Sequence, residues 1–392
     1  MQICLNSTDN PYVRSVGGKH IHLLLLEKGL QEILGKEQVQ RCYYNRLERN
    51  FYDKIKTRLV FFLGGSEKGY LSAQKYISHQ LREKTSKLRC DVLNSHDPSA
   101  FLNFAGSAVA KVLTFHGYLG RETLEYHPFS PCQRKRILSY LTDLEKRALD
   151  NADFAITVDS RIQKYITQEF GFPLEKTRII FNAVDTEAFT PITDQAKATL
   201  KRKLEIPTEQ FVVLVPRRLV KKNGVLFAAK AMKEVSNFPI HMYFAGDGPQ
   251  RNELLGEKLQ SNIHLLGDVP HDQMVDFFQC SDLVLIPSIH SGGIEEATSL
   301  SMLEGMACGK VVAGSSIGGI QEVIKNGTNG FLIPEKDSAA IAQIILQVFK
   351  MESEKKSKIT TAARKFVESN HSYRKHAAEF LNVFQQVLGA KK

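Results

Sequence analysis

No stretch of the 392 residues is long and apolar enough to span a bilayer: the longest apolar runs, such as Leu23–Leu26 and Phe211–Val215, fall far short of the roughly 20 residues needed. The first residues, Met1-Gln2-Ile3-Cys4-Leu5, carry no positive charge and run into polar Asn6-Ser7-Thr8-Asp9, unlike a secretory signal, so a cytoplasmic protein is expected. Six cysteines are scattered, no two closer than the 28 positions separating Cys280 from Cys308, which leaves neither a CxxC metal site nor a dense disulfide framework. They read as reduced core fillers. No HExxH or tight His/Cys cluster suggests zinc, and no low-complexity tract suggests a disordered or collagen-like chain.

What is present is an ordinary globular composition, 43% hydrophobic and 24% charged, over a length that suggests two or three domains. The net charge of +10 suits an anionic partner, such as an acidic membrane or a phosphorylated small molecule. Nucleic acid is disfavoured, because Lys and Arg are dispersed among Asp and Glu rather than gathered in stripes with aromatics. Residues 1–190 carry +6 and the remainder +4.

Short β-rich runs alternate with amphipathic stretches, the pattern of βαβ units and parallel sheets. Strands are expected at Ile3–Asn6, Arg58–Leu63, Asp91–Ser95, Lys111–Phe115, Phe154–Val158 and Thr177–Phe181, then at Phe211–Val215, Ile240–Ala245, Asn262–Leu266, Leu283–Pro287, Val311–Ala313 and Gly330–Ile333. Gln133–Asp150 reads as a helix with Ile137, Leu141, Leu144 and Ala148 on one face. The pattern loosens between Asp185 and Pro207, as a linker would, and three helical stretches follow Asp337. The expectation is an α/β chain of two Rossmann-like, doubly wound domains facing across a cleft, 1–190 and 206–370, with 371–392 as a C-terminal helix crossing back to the first domain. Ligands of such sheets sit beyond the carboxyl ends of the strands.

Two motif matches are weak. Gly246-Asp247-Gly248-Pro249 begins like a dinucleotide fingerprint without its third glycine, and Gly305–Lys310 is one residue short of a P-loop. Gly314-Ser315-Ser316-Ile317-Gly318 matches a nucleophile elbow, which would make Ser316 a hydrolase nucleophile served by Asp337 and by His371 or His376. No HGGG-like oxyanion segment precedes it, and a tight strand-to-helix turn explains the small residues more simply.

The stronger constellation runs from Glu296 through Glu304 to Gly309, after Pro287-Ser288 at the end of a buried strand. Glu304 would accept two hydrogen bonds from a ribose diol, Glu296 would meet another polyhydroxylated group, and the amides of Thr298, Ser299 and Leu300 would face a phosphate at a helix start. Two glutamates in this spacing followed by Gly305-Met306-Ala307-Cys308-Gly309 resemble the signature of retaining, nucleotide-sugar-dependent glycosyltransferases of family four, with the GT-B fold. Further segments match that family in order: Gly17-Gly18, Thr114-Phe115-His116-Gly117, Asn182-Ala183-Val184-Asp185 with Ala183 replacing glycine, Gly246-Asp247-Gly248-Pro249, Gly267-Asp268-Val269 and Gly318-Gly319. One segment departs. The family's Gly-Arg-Leu and Lys-Gly here read Pro216-Arg217-Arg218-Leu219-Val220-Lys221-Lys222-Asn223-Gly224. By register Arg218 and Lys222 match the family's diphosphate-binding arginine and lysine, with Arg217 and Lys221 as substitutes.

The resemblance implies retention of configuration, with Glu296 orienting the donor sugar, His116 contacting it, and Gly17 and Gly18 forming a loop near phosphate. The chain contains no Asp-x-Asp triplet, so fixed cations rather than a metal cofactor are expected to stabilise the leaving diphosphate. His96 is a weaker candidate of the same kind as His116. Expected partners are a nucleotide-sugar donor, UDP-linked by preference, and a carbohydrate, lipid-linked or small-molecule acceptor. An insert-like region, Gln38–Lys56, is a candidate for peripheral contact with an anionic membrane. A sugar-nucleotide epimerase of the same fold is the alternative reading.

Overall fold

A computed structural model describes residues 1–12, 17–45, 51–85, 88–127, 129–256 and 260–391. The chain divides into two compact units, one of residues 1–181 with 376–392, the other of residues 182–375.

The first unit is built on a parallel sheet of β1 (Ile3–Ser7), β2 (Val39–Tyr43), β3 (Val92–Ser95), β4 (Ala110–Phe115), β5 (Phe154–Thr157) and β6 (Thr177–Ile179), in the order β2-β1-β3-β4-β5-β6. Every residue of β1 and β3 is buried, because helices cover both faces of the sheet. Ile3 and Leu5 pack on one face with Leu23, Leu26 and Phe384, while Cys4 packs on the other with Leu81 and Phe101. The helix Pro131–Asp150 starts at a capping box: Ser130 Oγ accepts from the Gln133 amide and the Gln133 side chain accepts from the Ser130 amide. It buries Ile137, Leu141, Leu144 and Ala148, the face its periodicity marks.

The second unit repeats the plan with β7 (Phe211–Val215), β8 (Ile240–Ala245), β9 (Ile263–Gly267), β10 (Leu283–Ile286), β11 (Val311–Ser315) and β12 (Phe331–Ile333), ordered β12-β11-β10-β7-β8-β9. Phe211, Val213 and Val215 enter one core cluster and Val212 and Leu214 the other, as the alternation of a strand requires. The chain reverses its winding between β7 and β10, and in the first unit between β1 and β3. Connections leave such neighbouring strands in opposite directions, opening a crevice at their carboxyl ends.

Three expectations need correction. Arg58–Leu63 is not a strand: it lies inside the helix Phe51–Thr85, whose continuous backbone ladder overrides a short run of strand-forming residues. The edge strand is β2, in the stretch read as an insert, paired in parallel from Ile3 with Val39 to Ser7 with Tyr43; residues 46–50 of that stretch lie outside the described residues. The first unit also ends at Phe181, not at residue 190. Residues 182–190 belong to the second unit because Phe189 packs on Phe278, the Val184 amide donates to the His371 carbonyl, and the Tyr373 amide donates to the Val184 carbonyl. Residues 371–375 stay with the second unit for the same reason, and 376–392 return to the first, where Ala377, Phe380, Val383 and Phe384 are buried.

Those returning residues are core, not a surface strap. Phe384→Ala is expected to cost roughly 3–5 kcal/mol, as removal of a buried aromatic does; urea unfolding with a loss below about 1 kcal/mol would contradict this placement of the C-terminal helix.

Candidate functional site

At the end of β7 the chain turns through Pro216 and Arg217, and the Arg217 side chain, 9% exposed, points into a polar knot. Its Nη2 donates to Glu296 Oε2 at 2.6 Å, Asn223 Oδ1 at 2.7 Å and Ser288 Oγ at 3.1 Å, and its Nη1 donates to Ser299 Oγ at 3.1 Å. Glu296, 13% exposed, therefore sits against a fixed guanidinium. Asn223 Nδ2 in turn donates to the Arg218 carbonyl at 2.8 Å, closing the turn that carries both arginines.

Glycines set the approach of these segments. Gly246, at φ 147°, passes so near that a Cβ would lie 2.3 Å from the Arg217 carbonyl oxygen. Gly224, in the left-handed region at φ 63°, brings its backbone against Pro287: a Cβ there would stand 1.8 Å from the Pro287 oxygen. Thus Gly246 and Pro287 shape the backbone beneath the knot. Arg218 itself is exposed and Lys222 half-buried, with the Lys222 carbonyl accepting from the Ile289 amide at 2.8 Å.

Thr298 and Ser299 are buried and Leu300 is the first residue of the helix Leu300–Ala307. The Thr298 carbonyl accepts from Asn182 Nδ2 at 2.9 Å, and the Gly319 amide donates to the Glu296 carbonyl at 3.0 Å. Glu304 is no solvated helix residue. Its side chain is 6% exposed and its Oε1 lies 2.7 Å from His271 Nε2. Burial would lower the His271 imidazole, but its hydrogen bond to Glu304, the charge of Glu304, and Asp272 and Asp185 outweigh it and hold the ring above its ordinary value. Glu295 is engaged elsewhere, on His290 Nε2, while His290 Nδ1 lies 3.0 Å from Glu335 and its amide donates to the same carboxylate at 2.7 Å.

In the first unit, His116 follows β4 and joins a cluster that sequence reasoning saw only in part. His116 Nε2 and His96 Nδ1 are 2.9 Å apart, and His22 stacks edge-on against both rings and against His376. Three elements and the C-terminal helix thus converge on one imidazole group, which linear spacing could not show. Nitrogens of His22, His96 and His116 all lie within 4.8 Å of one another, the donor set of a metal site. Two features argue instead for a hydrogen-bonded cluster. The 2.9 Å pair is closer than the about 3.3 Å that two imidazoles keep around a tetrahedral zinc, and the Lys19 ammonium acts on both His96 and His116. Burial lowers both imidazoles well below the usual range, and the neighbouring histidines and Lys19 push the same way. Lys19, which sequence reasoning missed, is tied at 2.6 Å to both Asp9 and Asp97. Beside it, Gly17 at φ 121° needs glycine for its backbone conformation, since a Cβ there would meet nothing within 4 Å, and Gly18 begins the helix Gly18–Leu34.

The hydrolase constellation does not assemble. Asp337 caps the helix Ser338–Phe349, accepting from the Ala340 amide at 2.9 Å, His371 Nδ1 sits 3.0 Å from the Asn182 carbonyl oxygen, and His376 belongs to the imidazole group of the other unit. Ser316 stands in the turn after β11, its amide bonded to the Ile333 carbonyl.

Residues 17–188 match the family described as Glycosyltransferase Family 4, and residues 196–366 match Glycosyl transferases group 1. The two halves of the chain are thus each similar to a glycosyltransferase family model. The chain is similar to D-inositol 3-phosphate glycosyltransferase of Corynebacterium urealyticum, at 30% identity over 52% of this chain and 50% of that protein. It is also similar to an uncharacterized glycosyltransferase of Methanocaldococcus jannaschii, at 26% identity over 59% of each chain. The match thus spans about half the length of such curated relatives. Its fold resembles sucrose-phosphate synthase from Thermosynechococcus elongatus, with TM-score 0.75, 18% identity and 100% of both chains covered. It resembles the Anabaena protein HepE in complex with UDP and glucose as well, with TM-score 0.71, 17% identity and coverage of 98% and 99%. The chain has the GT-B fold.

Burial of His96 and His116 is expected to make the protein acid-sensitive. His96 and His116 take up protons more readily unfolded than folded, so their contribution to stability is complete above the ordinary histidine range, about pH 6.5, and is lost as pH falls below it. Urea midpoints are expected to fall between pH 7.5 and 5.5, and to fall less in His96→Asn; equal slopes for the two proteins would contradict the assignment.

Proposed function

We propose that this glycosyltransferase moves a sugar from a nucleoside diphosphate donor to a carbohydrate, lipid-linked or small-molecule acceptor, with retention of configuration and without a metal ion. The observation that carries the reading is the pair of mostly buried carboxylates, Glu296 and Glu304, each held by a nitrogen partner beside the diverging ends of β7 and β10. Buried carboxylates are costly unless they meet donors, and a polyhydroxylated ligand supplies them. Glu304 accepts the ribose hydroxyls, with His271 holding one of its oxygens in place. Glu296 accepts from the transferred sugar.

As the anomeric bond breaks, negative charge builds on the diphosphate. The exposed guanidinium of Arg218 and the ammonium of Lys222 neutralise it, being positioned in advance by the Asn223–Gly224 turn. The acceptor attacks from the face the phosphate leaves, and that phosphate takes the acceptor's proton. His116, kept neutral by burial, contacts the sugar as a hydrogen-bond partner rather than as a cation. The likeness to a protein solved with UDP and glucose favours a uridine donor. A lipid-linked acceptor is supported by a Corynebacterium glutamicum relative named as a GDP-mannose-dependent mannosyltransferase acting on a monoacylated phosphatidylinositol monomannoside, 24% identical over 210 residues. No described helix is long and apolar enough to cross a membrane; the protein would meet such an acceptor from the cytoplasmic side by peripheral docking.

A thermal-shift screen of UDP, GDP and ADP and their sugars is expected to single out one nucleotide, since a ligand bound only by the folded state raises the melting temperature. Glu304→Ala should abolish that selectivity; an undiminished shift would overturn the ribose role. With the donor so found, turnover should survive EDTA, and its loss on chelation would overturn the metal-free mechanism.

A further inference from the structure

We propose that Arg364 is a positioning residue for Glu304: it fixes both the short helix that carries this carboxylate and the aromatic ring that backs its partner His271, so that the carboxylate is aimed at the ribose. The inference rests on the ribose role given to Glu304 above. It extends that role to a side chain 57 residues beyond the end of the helix.

Glu304 lies in a helix of 8 residues, Leu300–Ala307, one turn from its end. A helix this short has little cooperativity of its own, so its last turn depends on what satisfies the carbonyls that no further turn can reach. The backbone serves three of them: the Cys308 amide donates to the Glu304 carbonyl at 2.9 Å, the Lys310 amide to that of Gly305 at 3.0 Å, and the Gly309 amide to that of Met306 at 3.1 Å. The fourth, on Ala307, accepts from Nη1 of the largely buried Arg364 at 2.6 Å. A cation there also matches the partial negative charge of a helix C-terminus.

The same guanidinium holds a second segment. Nη1 donates to the Phe189 carbonyl at 2.6 Å and Nη2 to the Thr186 carbonyl at 2.8 Å, while Nε donates to Glu368, one turn along the helix Ser353–Asn370. The buried Phe189 ring lies against the His271 imidazole, with centroids 5.4 Å apart, and His271 Nε2 is 2.7 Å from Glu304 Oε1. The contacts close on themselves: from Glu304 along one helical turn to Ala307, across Arg364 to Phe189, and through His271 back to the carboxylate. A rigid fork can span three carbonyls at once, which an ammonium cannot. Without it the last helical turn and the Phe189 segment are free to shift separately. Glu304 then loses the aim that two adjacent hydroxyls require of one carboxylate.

The test is calorimetric binding to the full chain, at a single pH, of UDP, GDP and ADP, each beside its 2′,3′-dideoxy form, which lacks the two hydroxyls assigned to Glu304. The readout is the ribose preference, the ratio of the affinities of a nucleotide and its dideoxy form. For the nucleotide it binds, the wild type should show a preference of about tenfold or more, the size of hydrogen bonds to a charged group. Arg364→Met should bring this below about threefold by weakening the nucleotide and sparing its dideoxy form, which a general loosening of the fold would not do. In Glu304→Ala the preference should vanish, and adding Arg364→Met should not alter it further, because residues acting through one another are not additive. Arg364→Lys, with the charge but not the fork, and Phe189→Leu, without the ring behind His271, should both fall between the wild type and Arg364→Met. If Arg364→Met does not fold, these two still decide, and the wild-type preference in both would overturn the proposal. So would a wild-type preference in Arg364→Met, or equal losses there for the nucleotide and its dideoxy form. An undiminished preference in Glu304→Ala would instead overturn the ribose role itself. A wild type that binds none of the nucleotides, or binds each no better than its dideoxy form, would overturn that role too, and this inference with it.

Discussion

In the second unit one buried ion pair joins segments that leave neighbouring strands. Where the sheet reverses its winding, the chains leaving β7 and β10 part company, and nothing in the strand ladder holds their ends together. The Arg217–Glu296 contact does so, bonding the turn after β7 to the loop that follows β10 and to the start of the helix Leu300–Ala307. A pair this buried is stabilising only if its remaining hydrogen bonds are made, and Asn223, Ser288 and Ser299 make those of both terminal guanidinium nitrogens, while Nε has no acceptor among the described residues. The same groups then form a preorganised wall for a polar ligand.

Backbone contacts make that pair possible. Gly246 lets β8's outgoing chain lie against the Arg217 carbonyl, and Gly224 does the same for Pro287. Any side chain at either position would push the segments apart by more than a hydrogen bond tolerates. The glycines matter here through the space they leave for neighbouring backbone, and their contacts are with protein. The first unit solves a related problem differently: at its own winding reversal it gathers four imidazoles, with Lys19 neutralised by Asp9 and Asp97 at the edge. One unit thus gathers an arginine and carboxylates at its strand ends and the other gathers imidazoles.

Much of this was legible in the linear chain. Buried parallel strands such as Phe211–Val215 and Leu283–Ile286 announce themselves as short apolar runs, and the helix Pro131–Asp150 as a 3.6-residue stripe behind a capping box. Glu296, Glu304 and His116 were singled out as candidates, His116 from its place after a strand and the two glutamates from their run before Gly305. Arg58–Leu63 misled because its residue types favour strands while the long helix around it governs the backbone. The division near residue 190 misled because composition registers where a chain becomes polar, whereas Val184 and Phe189 join the second unit through contacts with His371, Tyr373 and Phe278.

The sequence by itself determined the fold class, the succession of strands and helices, and the positions at which carboxylates, cations and glycines meet strand ends, because these follow from local periodicity and motif order. Only the tertiary structure decided which of two adjacent arginines faces Glu296, that Glu304 is bound to His271, and that His22, His96, His116 and His376 form one group. Each of those pairings joins residues far apart in the chain or chooses between side chains one position apart, and the direction a side chain takes is set by what packs around it.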